Sequence, residues 1–141
     1  MSEQAFSVRD KRVVVVGAAR SGVAAAELLV RRGARVTLTD LRLEIEDEER
    51  LRTAGVALEL GVHNLTTLTT ADLIVLSPGV PPTIEPLAAA RRAGVPIAGE
   101  LEIASRWLRG RIVAIGQSRC GRVEIACVHC HRRFKQGAVA R

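Results

Sequence analysis

The residues of this chain best placed for chemistry form a short glycine turn, Gly17-Ala18-Ala19-Arg20-Ser21-Gly22, which directly follows the β-branched run Val13-Val14-Val15-Val16. A strand that enters Gly-x-x-x-x-Gly and then a helix presents backbone N–H groups and the positive end of the helix dipole to an anion, and the ligand this favours is a phosphate. Gly17 permits the tight turn and Gly22 permits close approach of backbone to ligand or strand. Ser21 is suited to cap the helix or to donate its hydroxyl to the phosphate. The strict dinucleotide fingerprint G-x-G-x-x-G is absent, because Ala19 stands at its middle glycine. Asp40 lies 23 residues beyond Gly17, at the end of the next β-rich run. In this kind of fold an acidic residue at that place reads a ribose hydroxyl. The plainer alternative is that both glycines serve helix–strand packing and that Asp40 is a solvated loop residue.

A second group lies near the C-terminus. Cys127-Val128-His129-Cys130-His131 fits C-x-x-C-H, the pattern of haem c attachment, and Cys120, Cys127, Cys130 and His131 could supply four zinc ligands. The zinc spacing lacks a second paired element, and haem attachment needs an export route for which no signal is seen. Adventitious cysteines are the favoured reading. His63 reads as a surface histidine in a turn, and the acidic run 44–49 as a solvated helix face.

The elements that must hold these residues follow from pattern. Apolar runs with β-branched residues predict strands over 12–17, 35–40, 57–60, 71–76, 95–98 and 111–115. Apolar periodicity and glycine stops predict helices over 21–32, 44–53, 86–93 and 100–108. This alternation is that of an α/β fold, a Rossmann-like, mostly parallel sheet flanked by helices, which binds ligands at the carboxyl ends of its strands. A rigid loop, Ser77-Pro78-Gly79-Val80-Pro81-Pro82, follows the fourth strand.

Composition divides the chain. Residues 1–110 hold fourteen basic and fourteen acidic residues, whereas 111–141 hold seven and one, so the whole excess of the +6 net charge lies at the end. All three cysteines and two of the three histidines lie there too. We therefore expect a Rossmann-like domain over 1–115 and a basic, irregular, poorly ordered tail over 116–141. The tail would bind nucleic acid only non-specifically. No uncharged apolar stretch is long enough to span a membrane, and the N-terminus lacks the pattern of a secretory signal, so a cytoplasmic setting is expected.

Four segments in order carry a resemblance: the glycine turn, Thr39-Asp40-Leu41-Arg42, Ala71-Asp72-Leu73-Ile74-Val75-Leu76-Ser77-Pro78-Gly79-Val80, and Gly99-Glu100-Leu101-Glu102. Over about residues 8–115 the chain resembles the N-terminal domain of the D-glutamate-adding Mur ligases of peptidoglycan synthesis. The resemblance implies that the domain binds the UDP part of UDP-N-acetylmuramoyl-L-alanine. Gly17, Arg20, Ser21 and Gly22 would lie at the diphosphate. Asp40 and Arg42 would hold the uridine end, with Leu41 beside the base, where some relatives carry a polar residue. Ser77, Pro78 and Gly79 would close over the nucleotide.

The family's ligation is ATP-dependent and needs a P-loop and Mg²⁺. In relatives a Thr-Gly-x-x-Gly-Lys-Ser/Thr loop follows the strand equivalent to Ile112-Val113-Ala114-Ile115. Here Gly116-Gln117-Ser118-Arg119-Cys120-Gly121-Arg122 follows instead, and no Gly-Lys-Ser/Thr occurs in the sequence. The expectation is a substrate-binding domain without cofactor, metal or catalytic residues of its own, from a truncated or frame-shifted ligase, and inactive alone. ATP and Mg²⁺ belong to the full-length enzyme. The alternative is a stand-alone NAD(P)- or nucleotide-binding module.

Overall fold

The computed structural model describes residues 6–107 together with the backbone of three later strands. Up to residue 105 strands and helices alternate strictly: β1 (Arg12–Val16), α1 (Arg20–Arg31), β2 (Arg35–Asp40), α2 (Glu48–Thr53), β3 (Ala57–Leu60), α3 (Leu65–Thr69), β4 (Leu73–Leu76), α4 (Glu85–Arg92), β5 (Ile97–Gly99) and α5 (Glu100–Ser105). The five strands form one sheet in the order β3-β2-β1-β4-β5, with every neighbouring pair parallel. The α/β, Rossmann-like expectation therefore holds.

Register explains the burial. Val13 and Val15 of β1 stand beside Val36 and Leu38 of β2, on the face that α1 covers with Ala26 and Leu29. Val14, Val16 and Ile74 face the other way and pack with Leu68 of α3 and Leu87 and Ala90 of α4. Both faces are covered, so β1 is buried from Val13 to Val16 and reads as a continuous apolar run rather than an alternating one.

Three elements differ from expectation. The helix α3 was absent from the sequence-based reading. It is short, and its start is fixed by Asn64, whose side chain accepts the Thr66 N–H at 3.0 Å. The charged helix α2 begins at Glu48 rather than at residue 44. The preceding residues instead form a loop anchored at both β2 and β3, for Gly61 N–H donates to the carbonyls of Asp40 (2.8 Å) and Arg42 (3.0 Å). The sixth strand is present as β6 (Ile112–Gly116), but it lies outside the parallel sheet. It pairs antiparallel with β7 (Val123–Cys127), which pairs in turn with β8 (Arg133–Lys135). A short connection between consecutive strands permits antiparallel pairing, whereas parallel pairing requires a crossover.

The contacts divide the chain into two units, Met1–Ile103 and Ala104–Arg141. The candidate zinc and haem residues Cys120, Cys130 and His131 lie outside the described residues, and of Cys127 only the backbone, in β7, is described. No helix among the described residues is long and apolar enough to cross a membrane.

Candidate functional site

The chain runs from β1 outward through β2 to β3, then crosses to β4 and β5 on the other side of β1. The direction reverses between β1 and β4, and an open parallel sheet of this kind forms its ligand crevice there, outside the strand ends. Gly17 follows β1 at this point and Ser77 follows β4.

Gly17 takes φ of +102°, a region that side chains avoid. A Cβ on it would meet Ser77 Cβ and Val80 Cγ2, each at 2.9 Å. At Gly22 a Cβ would lie 2.0 Å from the Gly17 carbonyl oxygen and 2.8 Å from Ser77 Oγ. Both glycines are thus required by packing, whatever else they do. The start of α1 remains available to a ligand. Its N-cap is Ala19, with no side-chain capping bond, so Ser21 does not take the capping role open to it from the sequence. The first N–H groups of α1 have no intrahelical partner, and Arg20 is exposed beside them.

Asp40 lies across from this turn. Its Oδ2 accepts the Ala18 N–H at 2.7 Å and Arg42 Nη2 at 3.0 Å, and its Oδ1 accepts the Arg42 N–H at 2.9 Å and Nε at 3.0 Å. Burial acts to raise the pKa of this carboxyl. The bonds from the Arg42 guanidinium, the Arg42 N–H and the Ala18 N–H together outweigh it and hold the group ionised far below the usual carboxylate range. The same pairing raises the pKa of Arg42. Asp40 is therefore no free loop residue; it joins the end of β2 to the glycine turn. A cleft of about 660 Å³ opens beside it, with Ala18, Ala19 and Arg20 on one wall and Arg42 and residues 44–47 on the other. Leu41 is 65% exposed next to Asp40.

The Ser77-Pro78-Gly79 loop is divided in its exposure. Pro78 and Gly79 are exposed, whereas Ser77 is 1% exposed. Its Oγ lies 3.1 Å from the Gly17 carbonyl oxygen and bonds to Glu100 Oε1, so the hydroxyl is turned into the fold. Among the described residues the structure thus brings the glycine turn, Asp40, Arg42 and the Ser77 loop to one end of the sheet.

His63 departs from the surface reading. It is half-buried, with Nδ1 3.0 Å from Thr39 Oγ1, which also donates to the Val62 carbonyl at 2.9 Å. Burial lowers the His63 pKa, against a smaller opposite effect of the Asp40 charge. The sequence marks Glu100 only as part of a resembling segment and gives it no site role, yet it is 7% exposed. Only its place directly after a strand, Ile97-Ala98-Gly99, hinted that it faces inward.

Residues 11–99 match the family described as "Mur ligase MurD-like, N-terminal domain". The UDP-N-acetylmuramoylalanine–D-glutamate ligase of Desulfatibacillum aliphaticivorans is 46% identical over 113 residues, which is 78% of this chain and 25% of that protein. The ligase of the same name from Anaeromyxobacter dehalogenans is 47% identical over 133 residues, covering 89% of this chain and 29% of the relative. The chain thus spans about a quarter of the length of the curated relatives it matches. Among solved structures, a pseudomurein peptide ligase type C from Methanothermus fervidus superposes with a TM-score of 0.62 at 23% identity. That match covers 72% of this chain and 21% of the other, and it is a likeness of fold.

Proposed function

The chain belongs to the MurD-like N-terminal domain family of the Mur ligases, and from that premise we propose that it binds the UDP moiety of UDP-N-acetylmuramoyl-L-alanine. The observation that carries this reading is the cleft between the uncapped start of α1 and the Asp40–Arg42 pair. One wall supplies N–H donors, the helix dipole and Arg20, which suit a diphosphate. The other carries Arg42 and residues 44–47, and behind Arg42 stands its partner Asp40, a carboxylate that remains ionised and can accept donors from a ribose or a uracil.

In this reading Arg20, Ser21 and the turn closed by Gly17 and Gly22 lie at the diphosphate. Asp40 and Arg42 meet the uridine end, with Leu41 against the base. The Arg42 side chain is 57% exposed, so a ligand can reach its fork onto Asp40 from the solvent side. Pro78 and Gly79 form the outer wall, and Ser77 contributes from behind it.

The ligation named for the relatives is proposed for the full-length enzyme. Among the described residues no group of three or more His, Cys, Asp or Glu could hold a metal ion, and the sequence contains no Gly-Lys-Ser/Thr. ATP and Mg²⁺ belong, in this reading, to parts of the relatives beyond the quarter matched here. The cytoplasmic setting expected from the sequence is part of the same proposal.

Titration calorimetry of the chain with UDP and with UDP-N-acetylmuramoyl-L-alanine tests the reading. Saturable binding of both, with no enhancement of NADH fluorescence, is expected. Binding of NADH with no response to UDP would replace this reading with the dinucleotide one.

A further inference from the structure

Gly17, Ser77 and Glu100 occupy equivalent places on three adjacent strands. The last paired row of the sheet runs Val16–Leu76–Gly99 across β1, β4 and β5. Each of the three residues is the next one along its own strand. Where the backbone ladder ends, a side-chain row continues it: Ser77 Oγ stands between the Gly17 carbonyl oxygen, at 3.1 Å, and Glu100 Oε1, with its one proton serving one of these two acceptors at a time. Ser77 N–H still donates to the Val16 carbonyl at 3.0 Å, so the serine backbone is held as well as its side chain.

The first turn of α1 rests on this row. The space a Gly22 Cβ would need is occupied by the Gly17 carbonyl oxygen and Ser77 Oγ. A shift of Ser77 therefore reaches the turn and the helix start together.

Stability alone does not account for Glu100. The side chain is buried, and its Oε2 has no hydrogen-bond partner among the described residues. A buried carboxyl with one direct partner costs free energy relative to an apolar residue of equal size.

We propose that Glu100 is a positioning residue of the nucleotide site, which holds Ser77 and, through it, the Gly17 carbonyl, so that the glycine turn and the Ser77-Pro78-Gly79 loop form one rigid wall. Its effect on ligand affinity rests on the UDP reading above. Its effect on the rigidity of the turn does not.

The experiment compares the wild-type chain with Glu100→Met, Glu100→Gln, Ser77→Ala and Ser77→Ala/Glu100→Met. Three quantities are measured: thermal midpoint, amide hydrogen exchange over residues 18–23, and UDP affinity by calorimetry. Glu100→Met keeps the volume and removes both oxygens. It is expected to leave the midpoint unlowered, to speed exchange at the turn and to weaken UDP binding, each of the latter by about tenfold, the scale of one lost hydrogen bond. Glu100→Gln keeps Oε1 as an acceptor and is expected to restore both. The double variant is expected to match Ser77→Ala, because Glu100 acts through that hydroxyl.

Unchanged exchange at the turn in Glu100→Met overturns the proposal, as does full additivity in the double variant. If Glu100→Met does not fold, the exchange rates of Ser77→Ala decide: wild-type rates at residues 18–23 overturn it. If the wild-type chain binds no UDP, the function proposed above fails, and the exchange measurements still decide the role of Glu100.

Discussion

Asp40 and Arg42 close a two-pronged ion pair across a single intervening residue, and the same carboxylate also takes the Ala18 N–H at 2.7 Å. One side chain thereby fixes both walls of the candidate cleft: the loop after β2 through Arg42 and the glycine turn through Ala18. Charge-assisted bonds of this geometry are the stronger kind. The chain's own hydrogen bonds thus set the shape of the cleft.

Replacing Asp40 with Ala is expected to weaken UDP binding by about 1.5–3 kcal/mol, the value of a hydrogen bond to a charged group. Arg42→Ala is expected to cost less, since its guanidinium is largely solvated. Calorimetry with UDP measures both. Equal affinity of Asp40→Ala and wild type would remove Asp40 from the site.

The depressed Asp40 pKa sets a sign for acid stability. The folded carboxyl binds its proton less readily than the unfolded one, whose ordinary value is 3.8. Its stabilisation is therefore complete above that value and is lost as pH falls from 3.8 toward the lower folded pKa. Denaturant melts at a series of acid pH values are expected to show a smaller pH slope for Asp40→Asn than for wild type. Parallel slopes would contradict the carboxylate's role as a latch.

His63 titrates below its ordinary 6.5 because burial disfavours its charged form. The unfolded state then binds the proton more readily, so the His63 contribution to stability is present above 6.5 and is lost as pH falls through the folded value. An NMR titration of the imidazole is expected to place the midpoint below 6.5. Thr39→Val removes the hydroxyl facing Nδ1 and is expected to alter the Nδ1 chemical shift.

Glycine substitutions should separate sharply. Gly22→Ala places a methyl group against backbone and is expected to cost about 3 kcal/mol or more. Gly79→Ala meets nothing within 4 Å and is expected to fall within about 0.5 kcal/mol of wild type. Thermal or denaturant melts check both. A tolerated Gly22→Ala would mean that α1 does not sit on the Gly17 carbonyl as described.

The sequence by itself determined what is local and periodic. The run Val13 to Val16, the stop at Gly17 and the apolar stripe of α1 sufficed for strand, turn and helix, because each depends on near neighbours in the chain. Alternation of such units was enough for a parallel sheet with its ligand end at the strand tips, and the spacing from Gly17 marked Asp40. Tertiary structure alone decided which partners the site residues take. That Asp40 saturates itself on Arg42 and Ala18 depends on how the end of β2 lies beside the start of α1. That Ser77 points inward, and that Glu100 reaches it, depends on the register of β1, β4 and β5, set by packing across 60 and 23 residues of sequence. Pattern foresaw the extent of β6 but not its sheet, for a β-branched run specifies an extended backbone and leaves open which neighbour will satisfy its hydrogen bonds.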